Sequence, residues 1–386
     1  MIRRHNGFSL IEIIVGLLIG LIVTIVIFQV FEVSERQKRT TVGASDAQGN
    51  GAIAINMLGQ HARSAGAGLD YQLFSQCSGV LANIAGTSPG ETAAALSSVV
   101  SITRNDGDAG SDSISMLHYI SPNSDNGDTR YATLMLTEDK SVSASDISTR
   151  AVRNCDPRIL ATTALLAMMI EGSTCALITV TGSSSSDDPN GNIQKSPGRG
   201  FNFPASYTGH TFGKYKTSLQ CLPGLYRTTW RIRNQQLEVE NADLGAPPLG
   251  NALVTKPPTS VVAPNIVALK AQYGVVPAEG EAGKAIQWVN ADNEWAGIRS
   301  PLGVTMAASD LVHVRRIKAI RVAILVRNEE YQKPSPGGCN ATTDTQTANW
   351  PSWANFSTGG LGGDWDCYRY KALESTIPIR NLLWMK

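Results

Sequence analysis

The sequence predicts an α+β protein: one long N-terminal helix, apolar in its first half, followed by a body of short strands and turns. Three observations predict it. Residues 13–28 contain a single polar side chain, Thr24. Helical spacing then continues with no proline before Pro89. After residue 70, alternating apolar runs are separated by clusters of Gly, Pro, Ser and Asp. With 42% hydrophobic and 17% charged residues, the 386-residue chain has enough apolar material for a core, and wholesale disorder is excluded. Its 33 basic and 32 acidic residues leave a net charge of +1. That is no surplus for neutralising phosphates, so nucleic acid is not expected as a main partner.

The first element is the informative one. Residues 8–31 form an apolar run, and ~20 residues suffice to cross a hydrocarbon core. A secretory signal would be shorter, with its small residue after the apolar run; here Gly7 comes before it. Cleavage after Gly7 would remove a basic leader containing Arg3 and Arg4, leaving 31 basic and 32 acidic residues. Positive-inside orientation is only partly supported, because Arg36, Lys38 and Arg39 follow the span. Glu12 is out of place: a carboxylate in an apolar helix costs roughly 2.5–3.5 kcal/mol at the bilayer centre and less near its edge. After cleavage, Phe8 would become residue one and Glu12 residue five. The new amine and the carboxylate would then lie within one helical turn, able to pair within a chain or between neighbours. Gly16 and Gly20 form a GxxxG, open to two readings: close helix packing, or glycines tolerated against lipid.

Beyond the span, Ile53, Met57, His61 and Ala65 fall at i+4 spacing, with Ala54, Leu58 and Ala62 alongside. One such face is expected to pack on the body. Gly43, Gly49 and Gly51 weaken the helical signal, and Ala65-Gly66-Ala67-Gly68 reads as its stop. This divides the chain into a leader at 1–7, a helix at 8–66 and a globular region at 67–386.

In the body, strands are expected at 111–119, 131–136, 175–181 and 317–327, with a hairpin at 226–239 turning near Asn234. Residues 265–273 read as strand or short helix. A helix capped by Ser309 is expected over 309–316, and a last strand and tail over 368–384. Residues 182–200, 245–264 and 334–366 read as loops.

Six cysteines, Cys77, Cys155, Cys175, Cys221, Cys339 and Cys367, are scattered with no CxxC spacing. They fit disulfides in an oxidising compartment rather than a zinc site. Pairing neighbours in sequence gives Cys155–Cys175 and Cys339–Cys367, leaving Cys77–Cys221. Each short loop closed would be worth about 3 kcal/mol.

Several residues invite a chemical reading. Asp106, Asp108 and Asp112, with Gly107 and Gly110 between them, are spaced like early ligands of a calcium loop, and Asp125, Asn126 and Asp128 form a second acidic turn. The distal bidentate Glu of an EF-hand is missing, and Asx turns in solvated loops are the preferred account. Trp350, Trp353, Phe356 and Trp365 can be read as an adhesive patch, or as rings folded back over a sheet by a loop tied at Cys339–Cys367; the second is preferred. No HExxH, GxSxG, SxxK or Walker loop is present, so neither an enzyme nor a cofactor is expected.

The segment Gly7-Phe8-Ser9-Leu10-Ile11-Glu12 resembles the class III signal of type IV pilins and type II secretion pseudopilins. Residues 57–66 (MLGQHARSAG), the GSDSI run at 110–114, the Trp-bearing hairpin, NIVALKAQYG at 265–274, the 317–328 strand and IPIRN at 377–381 resemble PilW-like minor pilins. The resemblance implies a type IV pilin fold, with the helix packed on an antiparallel sheet. It implies cleavage between Gly7 and Phe8 by a prepilin peptidase, methylation of the Phe8 amine, and Glu12 as the assembly glutamate. Implied partners are other minor pilins, the major pilin, an inner-membrane assembly platform and a PilY-type tip adhesin. The location implied is the inner membrane, with a periplasmic C-terminal domain, and then the pilus, where such proteins prime assembly and serve adhesion and twitching motility. Two alternatives share parts of this evidence: a J-type minor pseudopilin of a type II secretion system, and a membrane-anchored periplasmic binding protein or enzyme.

Overall fold

The computed structural model describes residues 9–66, 80–81, 83–84, 98–119, 133–150, 152, 155, 165–184, 191–195, 201–202, 209–222, 225–243, 259–278, 284–298, 308–332, 338–339 and 341–383. Its first element is helix α1, Leu10–Ser64, of 55 residues and about 82 Å at ~1.5 Å per residue. Gly66, at φ +72°, turns the chain off the helix, and its N–H donates to Leu117 O at 2.8 Å.

α1 runs unbroken through the glycines that weakened its sequence signal. Its buried stripe is Gly43, Ala47, Gly51, Ala54, Leu58, Ala62 and Ala65, at spacings of four and three. Of the face expected to pack, Ala54, Leu58, Ala62 and Ala65 are buried and His61 is half-buried, but Ile53 is 51% and Met57 37% exposed. The reason is distance. A Cβ on Gly51 would overlap Leu373 and stand 2.9 Å from Val326 Cγ2, and one on Gly43 would overlap the side chain of Asn328. Small residues let the helix backbone lie directly on the sheet, where Ile53 and Met57 would hold it off.

The body under α1 is built from two antiparallel sheets. One has the strand order Gln287–Val289, Ile266–Val275, Ile317–Arg327, Tyr370–Pro378. The other has the order Thr259–Pro264, Gln236–Asp243, Leu225–Arg233, Ser113–Tyr119, Val100–Thr103. The long helix lies across both, against Tyr370–Pro378, Ile317–Arg327 and Thr259–Pro264. Residues 265–273 are therefore strand. Thr259–Pro264 is a strand too, where composition suggested a loop; its pairing with Gln236–Asp243 outweighs the proline at its end. The expected hairpin turns at Asn234 and Gln235, both left-handed (φ 52° and 60°). The helix expected at 309–316 spans Ala308–Arg316, so Ser309 lies within it rather than at its cap.

Residues 120–224 are an insertion into one strand pair. Tyr119 sits opposite Leu225 in the register, so the segment leaves and re-enters at adjacent positions. Its described parts form a further sheet, ordered Thr133–Met135, Ser218–Leu222, Leu165–Glu171, Thr174–Ser183, Asn192–Lys195, Asp146–Ser148, with Val80–Leu81 parallel to Thr174–Ser183. One face joins the main core through Met168 and Ile170, and the other has its own core around Leu136, Ile147, Ile178 and Phe212. Asn192–Lys195 falls inside the stretch read as an exposed loop; Ile193 is buried in this second core and draws the segment into the sheet.

The bridges follow topology more than sequence distance. Cys339 bonds to Cys367. Cys155 bonds to Cys221, with Cα atoms 5.5 Å apart, and not to Cys175. Strand Leu165–Glu171 lies between the strands that carry Cys175 and Cys221, which separates them. Each doubling of a loop adds only about 0.6 kcal/mol of closure cost, so the nearer cysteine in sequence has little advantage. Cys175 is also disulfide-bonded; Cys77 lies outside the described residues.

The two glycines at 49 and 51 should respond oppositely to substitution. Gly51→Val is expected to destabilise by about 1–3 kcal/mol through overpacking against Leu373 and Val326. At Gly49, no atom lies within 4 Å of an added Cβ. There, Gly49→Ala is expected to stabilise by about 0.5–1 kcal/mol. Thermal melts of the full chain in detergent check both, and a neutral Gly51→Val would remove the close-packing account.

Candidate functional site

The candidate site is the free half of α1 together with the junction that fixes it to the body. Residues 9–35 of the helix are exposed throughout, and Leu10, Ile11, Leu17, Phe28 and Phe31 are each more than two-thirds exposed. Burying one such side chain is worth about 1.5–3 kcal/mol, so this half cannot rest in water and needs lipid or other helices around it. It is the one described helix long and apolar enough to cross a membrane. Its backbone is satisfied internally, and Thr24 Oγ1 donates to Gly20 O at 2.8 Å, so the span's polar hydroxyl is also paired. Nothing lies within 4 Å of a Cβ at Gly16 or Gly20, which leaves that face open for a second helix.

Glu12 lies in the first turn of α1 and faces outward. The first helical amides, of Glu12 and Ile13, donate to Ser9 O at 3.0 and 3.2 Å. Among the described residues, the Glu12 carboxylate has no partner. An acid so placed needs a cation from outside the described residues once the helix is enclosed. Gly7 and Phe8 lie outside the described residues. Glu35 and Arg39 form an exposed i,i+4 pair at 3.0 Å beyond the apolar half.

At the other end, α1 is clamped to the body. Asn381 Nδ2 donates to Ala65 O at 2.7 Å, and the buried Lys318 Nζ donates to Leu382 O at 2.8 Å, fastening the C-terminal helix Arg380–Leu383 beneath it. His61 stands edge-on to Trp230 and His118, at 5.1 and 5.2 Å between ring centroids. His118 Nε2 pairs with Thr228 Oγ1 at 2.8 Å. Burial, with His61 beside it, holds the His118 imidazole down at about 4, and burial also lowers His61.

The three aspartates considered for calcium are engaged by the protein itself. Asp112 is buried; its Oδ2 accepts from Ala271 N at 3.0 Å and its Oδ1 from Asn105 N at 3.2 Å, with Lys270 Nζ at 3.4 Å. It pins the strand Ser113–Tyr119 of one sheet to Ile266–Val275 of the other. Asp108 Oδ2 accepts from Asn234 N at 2.6 Å, and Arg233 stands 3.9 Å from both Asp108 and Asp106. Residues 125–128 lie outside the described residues. The loop aromatics fold back: Trp350 and Phe356 pack over Val267, Ala268 and Leu325 on the sheet face away from α1, and Trp353 Nε1 donates to Glu374 at 3.1 Å. Trp365 is half-buried. Sequence reasoning missed the clamp residues Asn381 and Lys318 and the His61–His118–Trp230 cluster, which have no motif to announce them.

Comparison with known proteins gives two family matches. The family described as Type IV Pilus-assembly protein W (PilW) matches residues 249–381, and the prokaryotic N-terminal methylation motif matches residues 2–28. A solved type IV-like pilin from Thermus thermophilus aligns over 42% of this chain and 69% of its own, at 17% identity and a TM-score of 0.22; at that score it adds no argument. No curated protein matches.

The buried histidines make stability depend on pH. His118 is neutral when folded and takes up a proton near pH 6.5 when unfolded, so the unfolded state binds more protons between about pH 6.5 and 4. Stability is therefore fully present above that window and falls as the pH drops through it, by up to about 1.4 kcal/mol per unit. Melting temperature against pH is expected to fall more steeply for the wild type than for His118→Gln. Parallel curves would mean that His118 titrates normally.

Proposed function

We propose that this chain, a type IV pilin of the PilW-like family by its N-terminal motif and its 249–381 region, is a minor pilin that primes pilus assembly and sits at the pilus tip with other minor pilins and a PilY-type adhesin. The single observation that carries the reading is the form of α1. Its apolar half stands clear of the body, with one carboxylate, Glu12, in the first turn. A membrane anchor needs the apolar surface but not the acid. A helix that moves from lipid into a bundle of like helices has a use for both.

In this reading, residues 1–7 are a leader on the cytoplasmic side, 8–66 the membrane and filament helix, and 67–386 the periplasmic domain. A prepilin peptidase cuts between Gly7 and Phe8 and methylates the Phe8 amine. The chemistry belongs to that enzyme, and this chain is its substrate. On assembly, Glu12 meets the positively charged terminal amine of a neighbouring subunit. That contact offsets the cost of enclosing either charge and sets the axial register between helices. The inner-membrane platform and the major pilin are the partners this step requires.

Glu12→Ala tests the reading. The variant is expected to be cut after Gly7 and held in the membrane, yet to be absent from sheared filaments. Intact mass of the mature chain and immunoblots of the two fractions measure this. Normal entry into filaments would refute the role of Glu12.

A further inference from the structure

Residues alternate across Ile317–Arg327, with Val322, Ile324 and Val326 in the core beneath α1 and Arg321, Ala323 and Leu325 on the outer face. There Arg321 is held between two tryptophans. Its guanidinium carbon lies 4.9 Å from the centroid of Trp288 and 4.4 Å from that of Trp353. Its Nε donates to Gln272 Oε1 at 2.6 Å, and Gln272 Nε2 donates in turn to Asn290 Oδ1 at 2.7 Å. Both rings are themselves fixed. Trp353 Nε1 donates to Glu374, and Trp288 lies over Gly274, where a Cβ would stand 2.7 Å from the ring. Among the described residues, the two Nη groups of Arg321 donate to nothing.

This leaves a planar fork held by two aromatic faces and one hydrogen bond, with its outer donors unused among the described residues. Partial burial lowers the Arg321 pKa, and nearby Glu374 counters it; the group stays charged. A fork in that state matches the two oxygens of a carboxylate. Glu374 argues against phosphate, since it repels a dianion about twice as strongly as a monoanion. Tryptophan and arginine together, with Asn290, Glu374 and Thr376 exposed around them, form the composition of a protein-binding hot spot. The face points away from α1, so it stays open when the helix is enclosed by lipid or by other helices.

We propose that Arg321, between Trp288 and Trp353, is a docking site for a protein partner that presents an Asp or Glu carboxylate. The inference rests on the reading of this chain as an assembled subunit. Cells producing full-length Arg321→Lys in place of the wild type are treated with a carbodiimide, which joins an amine directly to a carboxylate. Cross-linked peptides are then identified in membranes and sheared filaments by mass spectrometry. The expected result joins position 321 to an Asp or Glu of a different protein, a product absent from Arg321→Gln. Links only to Glu374 or other carboxylates of the same chain, an acidic-sugar adduct, or no link at 321 in chains recovered from sheared filaments would overturn the site. Absence of the wild-type chain from sheared filaments would overturn the filament reading, and the inference with it.

Discussion

The contact between the small-residue stripe of α1 and the sheet edge is the constraint on which the rest depends. Gly43, Ala47, Gly51 and Ala54 give the helix no side chain long enough to grip, so the attraction comes from many close backbone approaches to Asn328, Val326 and Leu373. Leu58, fully buried, adds about 1.5–3 kcal/mol, and the clamp through Asn381 and Ala65 holds the end in register. Because residues 43–65 are fixed so closely, residues 10–35 can project as an exposed apolar rod. One helix thus has two environments, and the change falls near Gly43.

The body places its inserted segment and its outer loop away from that contact. The 120–224 segment departs and returns at facing positions of one strand pair, so the parent sheet is complete with or without it. Closing so long a loop costs little more than closing a short one, which makes such a site tolerant of a large insertion. The segment brings its own core and the Cys155–Cys221 bridge. On the outer face, the loop tied by Cys339–Cys367 folds Trp350 and Phe356 onto Leu325 and leaves the Trp288–Arg321–Trp353 stack at its margin. The sheet is therefore covered on both sides, by helix within and by loop without.

What was legible in the sequence is what depends on local pattern. The α1 span, its stop near Ala65, the hairpin at Asn234 and Gln235, and strand Ile317–Arg327 all follow from periodicity or turn chemistry. What was not legible depends on distant neighbours. The sequence pattern put Ile53 and Met57 on the packed face and left Gly51 out, because hydrophobicity has no term for how near a sheet can come. Leu165–Glu171 reads as a plain apolar run, yet it separates Cys175 from Cys221 and so overturns pairing by proximity. Asp112 looked like a ligand because two of its three side-chain partners, Ala271 N and Lys270 Nζ, lie more than a hundred residues away. Of the site at the N-terminus, Glu12 is visible as an acid without a partner among the described residues, and the cleavage at Gly7–Phe8 rests on the motif.

The central claim is that this chain starts a pilus rather than serving a secretion pseudopilus or a separate receptor. Deleting its gene, with and without the retraction motor, tests this most directly, with surface pili counted and secreted proteins assayed. The account predicts pili lost in the single mutant and restored when retraction is disabled, because a priming subunit speeds initiation without being the bulk of the fibre. Normal pili accompanied by a secretion defect would contradict it and move the chain to the pseudopilus.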